Sequence, residues 1–235
     1  MDESHSMGLI SVTDNPTADQ RAPSMPTIDE ITLADDAERW QALGFDTVDG
    51  AVRLSEVRMV MAGREAGRGI LGWSLRGIVS SELDGLPTTR SHLSSPANAP
   101  HHPNGVNAID HVVAMSPQLD RSVRALESAG LDLRRIREQP TPAGAPRQAF
   151  FRLGAVILEV VQEPEQAMDR SGTRDGSAHF WGIALLADDL DRTVAHLAEH
   201  VSEIRPAVQP GRRIATLRRS AGLAVPVALM SHAVA

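Results

Sequence analysis

The chain has 235 residues and a formal net charge of −7, with no cysteine, no tyrosine and no lysine, so that all 23 basic residues are arginine. These absences exclude thiolate nucleophiles, zinc–thiolate and iron–sulfur sites, disulfides, lysine Schiff bases, a phosphate-loop lysine and phenolic acids. The acidic balance argues against nucleic-acid binding as a default role, although the segment from Arg205 onward holds five arginines and no acid. No apolar run approaches the roughly 18 residues of a membrane helix, and no basic-then-apolar leader opens the chain, so a cytoplasmic protein is expected.

In chain order, residues 1–25 are polar and aperiodic and read as a disordered tail. Residues 26–80 form a first unit: a strand at Ile31–Leu33, a helix carrying Ala37 and Trp40, strands at Ala51–Leu54 and Val57–Met61, and one more at Ile70–Ile78. Residues 81–106, with Pro87, Pro96, Pro100 and Pro103, read as a linker whose His101 and His102 face solvent. A second unit follows with strands at Ile109–Met115, Ala149–Leu153 and Val156–Val161, and a helical stripe Leu119, Val123, Leu126. The third has strands at Phe180–Ala187, Arg213–Leu217 and Leu223–Met230, and a stripe Leu190, Val194, Leu197, Val201, Ile204. Pro140–Pro146 and Glu163–Ser177 read as breaks.

The units repeat one another. Leu119-Asp120-Arg121-Ser122-Val123 with Leu126 recurs as Leu190-Asp191-Arg192-Thr193-Val194 with Leu197. Leu33, Ala37, Trp40, Gly44, Phe45 and Asp46 repeat Leu119, Val123, Leu126, Gly130, Leu131 and Asp132, and Val52–Val57 repeats Phe151–Val156. One supersecondary unit used in tandem must pack against its copies to bury its apolar face. The class is therefore α+β, with repeated β-α-β-β units that leave room for one more strand.

A tandem βαβββ unit opening on Asp110-His111-Val112-Val113 and closing on Val156-Ile157-Leu158-Glu159-Val160-Val161 resembles the vicinal oxygen chelate superfamily. That superfamily includes glyoxalase I, methylmalonyl-CoA epimerase, extradiol dioxygenases and bleomycin-resistance proteins. The resemblance covers residues 107–232 well and 28–78 weakly. It implies paired modules, here 107–235, whose curved mixed sheets form a cup, with 26–80 as a degenerate third module. It also implies a site for a small organic molecule and, in many members, a divalent metal (Zn, Ni, Mn or Fe) held by first- and last-strand residues of each module.

His111 and Glu159 stand at two of those positions, as metal ligands or as a catalytic acid/base pair. A carboxylate amid Val-Ile-Leu and Val-Val is costly to bury without a cation or donors. In the third unit Gly182 stands opposite His111, and Val227 or Ala228 opposite Glu159; in the first, Val60 stands opposite Glu159. A full two-histidine, two-glutamate set is therefore not expected. Arg147, Arg152, Arg212 and Arg213 flank the penultimate strands and suit an anionic ligand, while pairing with surface acids is the plainer role. The functional expectation is a glyoxalase-like protein binding a small anionic organic molecule, with metal-assisted lyase, isomerase or dioxygenase chemistry. The alternative is a non-catalytic sequestration protein of the bleomycin-resistance type. The odd number of modules leaves Val57, Met59 and Met61 to be covered either by a homodimer through the first unit or by that unit folding back on the cup.

Two strings carry less than they suggest. His196-Leu197-Ala198-Glu199-His200 matches H-x-x-E-H, but no acid follows Glu203 to complete a zinc site. Gly67-Arg68-Gly69-Ile70-Leu71-Gly72 matches G-x-G-x-x-G, but strand-like Trp73-Ser74-Leu75 follows it instead of a helix N-terminus.

Overall fold

The computed structural model describes residues 25–94, 100–141 and 144–233. The tail expected at 1–25 lies outside the described residues except for Met25, which is exposed. Two mixed sheets share one continuous core. In the larger sheet the second unit is β6 (Val106–Ser116), α2 (Leu119–Ser128), β7 (Asp132–Arg137), β8 (Gln148–Leu153) and β9 (Val156–Gln162). The third is β10 (His179–Ala187), α4 (Leu190–Leu197), β11 (Arg205–Pro206), β12 (Arg213–Thr216) and β13 (Val227–Met230). Their strands run in the order β11-β12-β13-β10-β6-β9-β8-β7, so the two modules meet edge to edge through antiparallel β10 and β6. This is the curved cup of tandem βαβββ modules.

One face of each strand packs on the core and the other stays open, as period-two alternation requires. Ile109, Val112, Phe151, Leu153, Leu158 and Val160 point inward with Ile183 and Leu185, and all are nearly or fully buried. Helix α2 adds its stripe of Leu119, Val123 and Leu126 to that core and stops at Gly130, whose φ of 92° suits a residue without Cβ.

The smaller sheet is built from β1 (Thr27–Leu33), α1 (Ala37–Ala42), β2 (Ala51–Leu54), β3 (Val57–Met61), β4 (Ile70–Arg76) and β5 (Thr88–Arg90), with strand order β2-β3-β1-β4-β5. Its register repeats that of the larger sheet residue for residue. Ile31 pairs with Met59 and Trp73 as Val112 pairs with Leu158 and Ile183, and Trp73 pairs with Thr88 as Ile183 pairs with Val227. Gly72 lies under the Pro87 carbonyl as Gly182 lies under that of Pro226, where an added Cβ would come to 3.0 and 2.8 Å. The strand expected to extend the first unit is thus the first strand of a fourth module reduced to β4 and β5.

That pairing removes the premise of an unpartnered first module. Val57 and Met59 are buried within the chain, and Met61 is partly buried against the same core. The proline-rich stretch is likewise packed where it is described, with Leu83 and Leu86 in the core and β5 in the sheet. His102 is buried rather than solvent-facing. Its Nδ1 accepts from the Asp46 N–H at 3.0 Å, and its Nε2 donates to the Arg53 carbonyl at 2.9 Å. Next to it Asn104 donates to the Leu43 carbonyl, and its own carbonyl accepts from Thr193 on α4. His102→Ala would leave a partly buried peptide N–H and carbonyl unpaired, at about 1–3 kcal/mol or less. A melting temperature lower by several degrees is expected, and a change within about one degree would count against this tether.

Two further differences concern helices. α4 ends at Leu197 instead of running to Ile204, because Val201 bridges to Leu217 and the Arg218 N–H donates to the His200 carbonyl. His196 and His200 therefore do not share a continuous helix face. The break expected at 163–177 contains α3 (Glu165–Ser171).

Candidate active site

A β-bulge creates the site. Ala184 of β10 pairs with His111 and Leu185 with Ile109, so Asp110 is an extra residue in β6. A two-against-one bulge breaks strict alternation and turns both side chains toward one face. Asp110 and His111 thus both reach the open face, where Asp110 Oδ2 meets His111 Nδ1 at 2.7 Å. Asp110 Oδ1 accepts from Arg212 at 2.7 Å, and Arg212 also donates to the Ser231 carbonyl. Burial disfavours the Asp110 carboxylate, but the hydrogen bonds and charges of His111 and Arg212 outweigh it and hold the group below its ordinary range. Asp110 holds the imidazole through Nδ1 and leaves Nε2 free on the open face.

That free Nε2 lies 3.6 Å from Glu159 Oε2. Glu159 lies one residue along, opposite Val113 of β6, and accepts on Oε1 from the Gln148 side chain. Desolvation raises its affinity for a proton, and the nearby positive charge of His111, the Gln148 bond and Arg135 and Arg137 offset this only in part. The result is a carboxyl group above its usual range facing His111 Nε2.

These groups floor a cleft of about 270 Å³, with Phe150, Ile157 and Gln209 around them and Arg134, Arg135, Arg152 and Arg212 completing the lining. The Arg135 guanidinium stacks 4.7 Å from the Phe150 ring centroid. Of the four arginines expected at a ligand, Arg152 and Arg212 line this cleft. Arg147 and Arg213 do not: Arg147 pairs with Glu138 and Asp120, and Arg213 with Asp191, at distances of 2.7–3.1 Å. Strand parity separates the two sets. Arg152 is in phase with Gln148 and Phe150, and Arg212 with Ile214 and Thr216, whereas Arg147 and Arg213 fall out of phase toward the helix side.

The equivalent positions elsewhere carry no such chemistry. Ile28-Asp29-Glu30-Ile31 repeats the bulge of Ile109-Asp110-His111-Val112, with Asp29 as the extra residue. There Glu30 is paired with Arg58, and Asp29 is bound by Arg76 and Ser91. In the third module Gly182 replaces His111, and Ala228 replaces Glu159, since Ala184 pairs with Ala228 as Val113 pairs with Glu159 one register step on. As a divalent-metal centre the donor set is incomplete. His111 Nε2 and Glu159 Oε2 are close enough to share an ion, but the facing module offers only Gly182, Ala184 and Ala228. Among the described residues no group of three or more His, Asp or Glu is arranged to hold a metal.

A sequence profile of the Glyoxalase/Bleomycin resistance protein/Dioxygenase superfamily matches residues 108–224, the segment that carries His111, Glu159 and both cup-forming modules. This segment is a domain of that superfamily. Among solved structures, a xylose isomerase-like TIM barrel/4-hydroxyphenylpyruvate dioxygenase fusion protein aligns over 92% of this chain and 50% of its own, at 12% identity and a TM-score of 0.58. Methylmalonyl-CoA epimerase from Mycobacterium tuberculosis aligns over 61% of this chain and 95% of its own, at 16% identity and a TM-score of 0.45. A Streptomyces coelicolor methylmalonyl-CoA epimerase in complex with 2-nitronate-propionyl-CoA aligns over 55% and 96%, at 20% identity and a TM-score of 0.44. At these identities the likeness is one of fold. No curated protein matches.

Proposed function

We propose that the open face of the larger sheet binds a small organic acid and moves a proton on it, with His111 and Glu159 as the acid/base pair. The observation that carries this reading is the approach of His111 Nε2 to Glu159 Oε2 at 3.6 Å, with a carboxyl group above its ordinary range and an imidazole whose other nitrogen is fixed by Asp110. General acid–base catalysis works best when a group's proton affinity is brought toward neutrality. In the form of the pair with the shared proton on His111 Nε2 and Glu159 as carboxylate, Glu159 would take a proton from the carbon beside a carbonyl. The electron pair then moves into an enol whose oxygen receives a proton from His111, and reversal restores the keto form. Arg134, Arg135 and Arg152 would hold the ligand's acid group, and Arg212 acts through Asp110. Superfamily members commonly use divalent metals, but the two-donor set supports a reading in which the side chains do this work.

Sequestration without chemistry is favoured by one observation: half of the open face, at Gly182, Ala184 and Ala228, offers no reactive group. Proton NMR in D2O decides between the two. Small 2-oxo acids should lose their carbon-bound proton adjacent to the carbonyl in the presence of the protein, and His111→Gln should slow that loss by about 100-fold or more. Binding without exchange would leave sequestration as the function. Stoichiometric Zn, Ni, Mn or Fe in protein purified without chelators, lost in Glu159→Gln, would replace the metal-free reading.

A further inference from the structure

Two features of the open face are unused by the acid/base pair. The first is Trp181, which is 54% exposed although it lies within a strand, while Trp40 and Trp73 are buried. Phe180, Ile183 and Leu185 give one face of β10 to the core, with Phe180 edge-on to Trp73 at 5.0 Å. A second bulge, between Phe180 and Gly182, turns Trp181 to the other face at the place that Asp110 occupies in the preceding module. The close Pro226 carbonyl admits only glycine beside it, so the indole stands clear of any neighbour at position 182. The second feature is a small apolar cluster of Val113, Val161 and Ala145 with Met115, separate from the main core. Val113 pairs with both Gly182 and Glu159, so this cluster lies on the strands between the indole and the acid/base pair.

We infer that the ligand is an organic acid with an aromatic or bulky apolar tail. Its acid group meets the arginine rim, and its tail lies along Val113 and Met115 against Trp181. This rests on the proposed anion cleft and extends it. A polar floor on one module and an apolar, small-residue floor on the other define a two-ended ligand, and a wholly polar metabolite would leave the exposed indole and apolar cluster uncovered.

The test uses the full chain with acetate, 3-phenylpropionate and the neutral 3-phenylpropanamide as probes. Trp181 is the one tryptophan open to acrylamide, so its quenching reports directly on the tail. 3-Phenylpropionate should shield it, bind at least about tenfold more tightly than acetate, and lose about tenfold in Trp181→Ala, in keeping with loss of one aromatic face. Acetate affinity should not change in that variant. Arg152→Gln should weaken both acids, and the amide should bind poorly. If both acids bind equally and depend on Arg152 while Trp181 stays fully quenchable, the tail assignment is overturned and the anion cleft stands. Equal shielding by acid and amide, independent of Arg152, would overturn it as well, because the indole would then belong to a different site. Failure of both acids to bind would overturn the cleft and the tail assignment together. The shielding measurement on unmodified protein needs no variant to fold.

Discussion

Glu159→Gln is expected to make the protein more stable to heat at pH 7 while abolishing proton exchange on any ligand. Burial disfavours the Glu159 carboxylate, and its partners offset this only in part, so the folded protein binds that proton more tightly than the unfolded chain does. A group of this kind supports folding most at low pH, below its unfolded value, and that contribution is lost as pH rises through the folded value. Glutamine never ionises and keeps an oxygen for the Gln148 donor. The variant should therefore gain a few degrees at neutral pH, the response of a chain this size to about 1 kcal/mol, and the gap should close as pH falls into the ordinary carboxylate range. Melting curves across pH check this. A difference that stays constant with pH, or a variant less stable at pH 7, would show that Glu159 is a structural hydrogen-bonding partner without a buried-charge cost. A gain in stability with a loss of chemistry is the trade expected of a site built for function.

Part of this site was legible in the residues. Glu159 is the one acid in an apolar run, and His111 lies in a strand-like run of the same unit, so the pair could be named without coordinates. The repeats also placed Gly182 and Val60 correctly against His111 and Glu159. Asp110 was not legible, because strict alternation puts it on the face opposite His111 and only a bulge brings the two together. A signal did exist: Ile28-Asp29-Glu30-Ile31 repeats Ile109-Asp110-His111-Val112, and an acid kept at the same step in two copies marks a backbone irregularity. Arg134 and Arg135 were missed for another reason. They lie on β7, whose Asp-Leu-Arg-Arg-Ile-Arg string lacks apolar alternation because it is the outer strand of the sheet. The kinship of β4 and β5 to a further module left little trace in the sequence. With no helix between β4 and β5, only the glycine-under-proline contacts at Gly72 and Gly182 and the matching registers reveal the kinship.

The degenerate modules raise the question of what the smaller sheet is for, and Trp40→Ala answers it by stability. Trp40 is fully buried, packs edge-on to Phe45 at 5.0 Å and donates to Asp35 at 3.4 Å. Asp35, itself fully buried, also accepts from the Ala224 N–H in the loop before β13. The side chain therefore anchors a clasp between the first module and the third. Removing it should cost about 3–5 kcal/mol through the lost transfer energy and the cavity left behind. That corresponds to a melting temperature lower by on the order of 10 °C. Because one core runs through both sheets, the loss should appear as a single transition, seen alike by far-UV dichroism and by the emission of Trp73 and Trp181. An early transition confined to part of the dichroism signal, with ligand binding intact above it, would show instead that the smaller sheet folds independently of the cup. A single cooperative loss would give the smaller sheet a physical role: the cup has one open face, and the paired degenerate modules supply the apolar surface that its other face requires.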